Sequence, residues 1–312
     1  MNVSVIIPCF NVAGLLPKAL DSVRRQSRPP LEVVVVDDGS TDGTWAVIEA
    51  AKADGPGLVR GIRQENKGAC AARNTGLRNA SGEWVQFLDA DDELFPDKLA
   101  FQAPFTEQAD IVVGDYEQVM PDGLLLTVEA LYDRPWMALV KTRMGTTSAN
   151  LWRRSAVEAA GGWDEELASS QDYELLFRML KRGHRVAWDR HVATRVLKRA
   201  SGSISRTDER ANWERYVDLR KAMKDHLLAQ DPAAHADEIA AIDQYLFMAL
   251  RILATYDLDA AVDEFRRSIS PGFVPQVGRA ITERYVLLYN LLGFAGAEKA
   301  LRLRKGSSHP AS

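Results

Sequence analysis

The chain has 312 residues, of which 46% are hydrophobic and 26% charged, a balance that excludes a mainly disordered polymer. At roughly 150 residues per domain, this length predicts one large domain with an appendage, or two domains. With 39 basic against 43 acidic side chains the net charge is −4, so no global basic field exists and nucleic acid is excluded as the main partner.

The first hundred residues alternate two periodicities. Val3 to Cys9 is an apolar run too short for a helix, and Leu31 to Val36 is a second, so both fit strands buried on two faces of a parallel sheet. Between them Leu15, Leu16, Ala19, Leu20 and Val23 fall at helical spacing, and Arg28-Pro29-Pro30 stops the pattern. The same logic predicts a helix over Thr44 to Lys52, a strand over Val59 to Arg63, an Ala-rich helix over Ala69 to Asn79 and a strand over Glu83 to Leu88. Strands alternating with helices indicate a doubly wound α/β sheet.

From Ala109 the pattern loosens. Asp110 to Glu117 and Leu124 to Val128 read as strands paired across Pro121-Asp122-Gly123, and Thr146 to Trp152 as a strand leading to a short helix that ends at Gly161-Gly162. Asp172 to Arg182 is helical, with Leu175, Leu176, Met179 and Leu180 on its apolar face. Helical stretches near 211–229, 235–256, 258–268 and 278–291 then predict a helical C-terminal module.

The expected organisation is a ligand-binding half over 1–108, a second half over 109–205, the helical module over 206–305 and a frayed tail over 306–312. The start lacks a basic n-region and cleavage site. The best apolar run, Tyr245 to Tyr256, is too short for a transmembrane helix and contains Arg251. A cytoplasmic, non-spanning chain is therefore expected. Cys9 and Cys70 are too few for a disulfide framework and read as buried thiols.

Three acidic groups each sit beside a predicted core element. Asp37-Asp38-Gly39-Ser40-Thr41-Asp42-Gly43 follows the Val-rich strand, at the sheet edge where open α/β folds bind ligands; the same residues also fit a plain turn with Asp42 capping the next helix. Asp89-Ala90-Asp91-Asp92-Glu93 holds mutually repelling carboxylates, which a divalent cation would offset; an acidic helix start is the other reading. Asp172, after Gln171, is either an N-cap or a carboxylate able to take a proton from a hydroxyl.

Taken in order, Val5-Ile6-Ile7-Pro8-Cys9-Phe10-Asn11, Val36-Asp37-Asp38-Gly39-Ser40-Thr41-Asp42, Asn66-Lys67-Gly68, Ala71-Ala72-Arg73-Asn74, Phe87-Leu88-Asp89-Ala90-Asp91-Asp92, and Gly161-Gly162-Trp163-Asp164 with Gln171-Asp172 resemble the motifs of family 2 glycosyltransferases. The resemblance covers about residues 2 to 205. It implies a GT-A fold with a Rossmann-like mixed sheet, and inverting transfer from a nucleotide-diphosphate sugar with a divalent metal, Mn²⁺ or Mg²⁺. The expected acceptor is a glycan or a lipid-linked molecule, in cell-surface polysaccharide synthesis.

Carried over by position, Pro8, Phe10 and Asn11 border the base, with Phe10 stacking on it, and Asp38 accepts from base or ribose beside Asp37. Lys67 and Arg73 approach the nucleotide. Asp89, Ala90 and Asp91 match the Asp-x-Asp segment, with Asp91 the nearer metal ligand and Asp89 nearer the ribose, and Asp172 matches the catalytic base. UDP is the implied nucleotide, with GDP and dTDP open.

Two departures stand out. Gln171 replaces the Glu that many relatives carry, and no His lies in Arg195 to Ser205, where Lys198 or Arg199 can meet the diphosphate instead. His191 is assigned to the preceding strand as a structural residue.

Competing classes are weaker. A dinucleotide-dependent oxidoreductase needs Gly-x-Gly-x-x-Gly after the first strand, where this chain has Pro8-Cys9-Phe10-Asn11-Val12-Ala13-Gly14. A nucleotidyltransferase lacks its Gly-rich basic loop here, and a silent nucleotide-sugar-binding scaffold is the remaining alternative. In the last segment, Ile281 to Lys305 places Val286, Leu287, Leu288, Leu291, Leu292 and Phe294 before Lys299, Arg302, Arg304 and Lys305. That pattern fits either helices packed on the catalytic domain or on a second copy as a homodimer, or peripheral contact with an anionic membrane face.

Overall fold

The computed structural model describes residues 1–54, 57–198 and 208–306, with side chains to 302. The chain divides into two units, Met1–Arg206 and Thr207–Ser312.

The first unit is built on one mixed sheet. Strands β1 (Val3–Cys9), β2 (Glu32–Asp37), β3 (Val59–Arg63) and β4 (Trp84–Phe87) lie parallel in the order β3-β2-β1-β4. Their valines and isoleucines are buried on both faces because helices α1 (Leu16–Arg24), α2 (Thr44–Asp54) and α3 (Ala69–Asn79) connect them. Helix α3 carries Gly76 for a steric reason: a Cβ there would lie 2.2 Å from Ile6 Cγ2, so only glycine lets the helix approach β1.

Beyond β4 the two-residue strand β5 (Glu93–Leu94), β6 (Ile111–Val119), β7 (Leu125–Val128), β8 (Leu151–Arg153) and β9 (Val186–Leu197) complete the sheet, which is mixed there, with β6 and β9 parallel and the other pairs antiparallel. The order continues β4-β8-β6-β9-β5, with β7 hairpinned onto β6 across the expected turn. Short helices α4 (Lys98–Gln102) and α5 (Pro135–Val140) escape the sequence pattern, each being too brief for a helical period to register. Helices α6 (Arg154–Ala159) and α7 (Gln171–Lys181) follow β8 and precede β9.

The strand expected over Thr146 to Trp152 is a turn up to Asn150 and a strand only from Leu151. Its polar residues explain the difference: the Ser148 carbonyl accepts from Gln86 Nε2, and Asn150 donates to the Met144 carbonyl, so both serve cross-connections. Below the acidic turn, Phe87 meets Trp163 edge-on at 5.1 Å and Trp152 at 6.3 Å, a buried aromatic cluster that anchors β4 to the loop before α7. Both cysteines are buried and free, and burial pushes the Cys70 thiol up to about 11.

The second unit is helical: α8 (Glu209–Gln230), α9 (Ala236–Tyr256), α10 (Leu258–Ser268) and α11 (Glu283–Gly306). By length and mean hydropathy, 1.2 over its best 18-residue window, α9 is long and apolar enough to cross a bilayer, contrary to the sequence expectation. It is instead the core helix of this unit. Phe247 on α9 packs against Phe265, Phe273, Tyr285, Tyr289 and Phe294, and Asp243 pairs with Lys224 at 2.5 Å. Helix α11 starts later and runs further than expected, and it is two helical segments joined across the non-helical Gly293, at φ 68° and ψ −179°. The expected tail lies largely outside the described residues.

Candidate active site

The carboxyl ends of β1, β2 and β4 bring the sequence-predicted residues to one edge of the sheet. Near the end of β1, Pro8 is half-buried, and just beyond it Phe10 is 48% exposed. Asn11 takes a left-handed φ of 52°, and its main-chain N–H donates to Ser40 Oγ at 2.9 Å while its Oδ1 accepts from Thr41 N–H at 2.9 Å. The two loops at this edge are thereby tied together, with an aromatic ring left facing outward.

After β2 the two aspartates diverge. Asp37 is fully buried; its Oδ1 accepts from Ser40 N–H at 2.9 Å and its Oδ2 lies 3.2 Å from Arg63 Nε, so it shapes the turn. Asp38 commits both oxygens to the loop entering α3, accepting from Gln64 Nε2 at 2.7 Å, Lys67 N–H at 3.0 Å and Gly68 N–H at 2.8 Å. The Lys67 side chain is exposed. Asp42 accepts from Thr44 N–H and Oγ1 at the start of α2, as the capping alternative expects, and also from Ala13 N–H at 3.1 Å.

The acidic segment after β4 is sorted by environment. Asp92 points inward, accepting from Ser148 Oγ at 2.6 Å and Leu197 N–H at 3.0 Å. Burial, and then the charges of Asp89 and Asp91, push its carboxyl well above the usual range. Ala90 is buried, Asp91 is partly exposed and the Asp89 side chain is 35% exposed. Asp89 and Asp91 therefore remain at the surface of the turn. Lys198, one residue beyond the Leu197 N–H that holds Asp92, is exposed; Arg199 lies outside the described residues.

Arg73 joins these elements. From α3, its guanidinium, on a side chain only 7% exposed, donates to Asp89 Oδ1 at 2.7 Å and to Gln171 Oε1 at 3.0 Å, and stacks 4.6 Å above the Trp163 ring. Burial opposes its charge, and the neighbouring Asp89 carboxylate outweighs that penalty. Gln171 is fixed at its other end by donating to the Leu167 carbonyl at 2.8 Å.

Asp172 is the second residue of α7, since Ser170 holds the N-cap position at φ 59°; the N-cap alternative for Asp172 therefore fails. Burial raises its pKa, and Tyr173 N–H at 3.0 Å and the Arg73 charge work against that rise. A partly desolvated carboxylate at a helix start, one residue from the Gln171 that Arg73 grips, has the properties of a proton acceptor.

Sequence reasoning misses the roles of four contributors. Gln171, a departure from the family pattern, is a direct partner of Arg73. Ser148 donates to Asp92 and accepts from Asp89 N–H at 3.1 Å. Asn74 clamps Trp163, accepting from its N–H at 2.8 Å and donating to its carbonyl at 2.8 Å, and Trp163 in turn supports Arg73. The Ala-Arg-Asn and Gly-Gly-Trp motifs are visible in the chain, but their mutual contact, across residues 74 and 163, is not. A cavity of about 680 Å³ lies on the other side of this clamp, lined by Asn74, Glu158, Gly162, Glu165 and Arg178, and includes none of Asp38, Asp89, Asp91 or Asp172.

Among the described residues no three His, Cys, Asp or Glu side chains cluster as a preformed metal cage. The donor set fits a hard cation that takes one or two carboxylates and fills its remaining positions with water and phosphate oxygens: Asp89 and Asp91 stay at the surface of the turn while Asp92 is withdrawn from it.

Residues 4–154 match the family model Glycosyl transferase family 2. Glycosyltransferase GlyA of Streptococcus pneumoniae serotype 4 is 44% identical over 118 residues, 37% of this chain and 17% of that protein. The chain spans less than half the length of the curated relatives it matches first. Among solved structures, Staphylococcus aureus TarS 1–349 in complex with UDP-GlcNAc has a TM-score of 0.71 at 20% identity, covering 97% of this chain and 92% of that one. The mannosyltransferase PcManGT from Pyrobaculum calidifontis, in complex with GDP-Man and Mn²⁺, has a TM-score of 0.58 at 20% identity, covering 98% and 87%. The mixed α/β sheet with its helical C-terminal region thus resembles the GT-A fold of TarS, and residues 4–154 form a glycosyl transferase family 2 domain.

Proposed function

We propose that this protein transfers a sugar, with inversion at the anomeric carbon, from a nucleotide-diphosphate donor to a hydroxyl of a glycan or lipid-linked acceptor, in the assembly of a polysaccharide or glycoconjugate. The observation that carries the reading is the meeting of Arg73, Asp89 and Gln171, drawn from three segments remote in sequence, in one hydrogen-bonded unit, with Asp172 the next residue of α7.

Each residue has work to do in such a reaction. Phe10, exposed at the edge of β1, offers a flat face to the base, and Asp38 holds the loop carrying Lys67 against the same edge. Asp172 takes the proton as the acceptor oxygen attacks; burial raises its pKa, which makes it a stronger base than a solvated aspartate. Arg73 ties Asp89 to the start of α7 through two hydrogen bonds, so the donor turn and the base stand at a fixed spacing. Asp89 and Asp91 are the residues that would hold a divalent metal, which supplies neutralisation of charge on the departing diphosphate. Lys198, exposed near the same turn, is a second source of positive charge. The complexes of TarS with UDP-GlcNAc and of PcManGT with GDP-Man and Mn²⁺ support a nucleotide-sugar donor and a metal for a chain of this fold.

Calorimetric titration with UDP, GDP and dTDP, each with and without Mn²⁺, tests the donor half. Metal-dependent binding of one nucleotide is expected, followed by slow hydrolysis or transfer of the matching sugar. Tight nucleotide binding with no turnover on any acceptor would favour a silent scaffold.

A further inference from the structure

The helical unit carries an apolar surface that its own core does not use. On the first half of α11, Leu287, Leu291 and Leu292 are 61%, 71% and 54% exposed, whereas Tyr285 on the same helix is buried against Phe247. Leu287 and Leu291 stand four residues apart and so form one stripe, with exposed Arg284 one turn earlier. Surface leucines scattered singly need no explanation, but neighbouring ones on one helix mark a contact surface.

The second half of the same helix indicates the chemistry of the partner. After the kink at Gly293 it turns Phe294 and Ala297 inward and leaves Lys299 and Arg302 exposed. The sequence adds Arg304 and Lys305. Glu298, the acidic residue within this half, is buried and bonded to Arg251 at 2.8 Å, so it does not offset the exposed cations. In a chain whose net charge is −4, an apolar stripe leading into a run of cations is a local inversion of the overall field.

We propose that α11 docks on an anionic lipid surface, with Leu287, Leu291 and Leu292 entering the headgroup–acyl boundary and Lys299 and Arg302 lying over acidic headgroups. A few leucines alone give marginal, reversible binding, and a second, electrostatic contribution is what makes interfacial attachment stable. Charge complementarity selects an anionic lipid surface, because Lys299 and Arg302 are exposed and the buried Glu298 does not offset them. The inference is independent of the donor chemistry, since it uses no residue of the glycosyltransferase domain.

The test is co-sedimentation of the full chain with phosphatidylcholine vesicles, with and without phosphatidylglycerol, at low and high salt, beside sedimentation equilibrium without lipid. Binding is expected only to phosphatidylglycerol vesicles, weakening with salt. Lys299→Glu with Arg302→Glu should reduce it at least twentyfold, at about fivefold for each cation removed. Leu287→Glu with Leu291→Glu should abolish it while the circular-dichroism spectrum and thermal unfolding midpoint stay at the unsubstituted level and show the helical unit folded. Vesicle binding that survives both double variants would overturn the proposal. So would no vesicle binding at all, including the case where the leucine variant dissolves a dimer seen without lipid.

Discussion

Gly162 gives the most direct test of how the site is held together. It sits at φ 72°, and a Cβ built there would lie 2.7 Å from Asn74 Oδ1, the atom that accepts the Trp163 N–H. Gly162→Ala therefore incurs two costs: about 1–2 kcal/mol for an L-residue in left-handed backbone, and about 1–3 kcal/mol for disturbing a buried hydrogen bond. Gly161→Ala is the internal control, because it has a φ of 93° but its Cβ would meet only Arg178 Nη1 at an ordinary 3.5 Å. Urea denaturation should place Gly162→Ala about 2–5 kcal/mol below the unsubstituted protein and Gly161→Ala only about 1–2 kcal/mol below it. In a two-state unit of this size the first loss corresponds to a Tm lowered by about 4–20 °C. Because Trp163 lies under the Arg73 guanidinium, turnover should fall in Gly162→Ala beyond what the folded fraction explains. Equal stability for the two alanine variants would refute the clash, and with it the assignment of Asn74 as the clamp on Trp163.

Other residues of the first unit yield sharper functional readouts. Asp172→Asn should lower kcat by about 10²- to 10⁴-fold with nucleotide affinity nearly unchanged, measured by steady-state kinetics and calorimetry; normal turnover would remove Asp172 from the base role. The acid side of the kcat profile should reflect the raised pKa of Asp172, with activity falling as pH drops through it, and Arg73→Met should move that fall to higher pH by removing the cation that opposes the rise. Asp91→Ala should weaken nucleotide binding in the presence of Mn²⁺ but not in its absence, and an unchanged metal dependence would exclude Asp91 as a ligand. Lys98 is fully buried, with its ammonium on Gln86 Oε1, and burial holds its pKa well below the usual lysine range. The unfolded chain binds that proton more tightly, so stability should rise with pH from the folded pKa towards about 10.4, and Lys98→Met should remove that part of the slope in urea titrations.

Much of the first unit is legible in the sequence because its signals are local. The run Val3 to Cys9 coincides with β1, since a buried parallel strand reads as an unbroken apolar segment, and the expected elements Val59 to Arg63 and Ala69 to Asn79 coincide with β3 and α3. The elements that escape depend on contacts between distant residues. Strand β5 is two residues long and exists because Glu93 and Leu94 pair with Arg195 and Thr194 of β9, far along the chain. Ser148 resembles part of a strand because its neighbours alternate, yet its hydroxyl closes the acidic turn on Asp92. The helical stretch expected to end near 291 is followed, past the non-helical Gly293, by a second helical segment whose Phe294 stacks on Phe265 at 4.7 Å.

The site itself shows the same division. Position along the chain marks Asp38, Asp89, Asp91 and Asp172 as one set, but only the fold separates their duties. Asp38 directs its hydrogen bonds to the loop at residues 64–68, so its part in any ligand contact is first to build that loop. Asp92, equal to its neighbours in sequence, is removed from the surface by Ser148 and the Leu197 N–H, which leaves two carboxylates rather than three for a cation. Arg73 converts the remainder into a coupled pair: its bond to Asp89 and its bond to Gln171 share one rigid guanidinium plane resting on Trp163. A displacement of the donor turn by even a fraction of an ångström must then be transmitted to the first turn of α7, where Asp172 stands. Replacing Arg73 by Lys keeps the charge and loses the fork, so the Asp89 pair should survive while the link to Gln171 fails. Donor affinity would then hold while kcat falls, and a parallel loss of both would show instead that Arg73 serves the nucleotide alone.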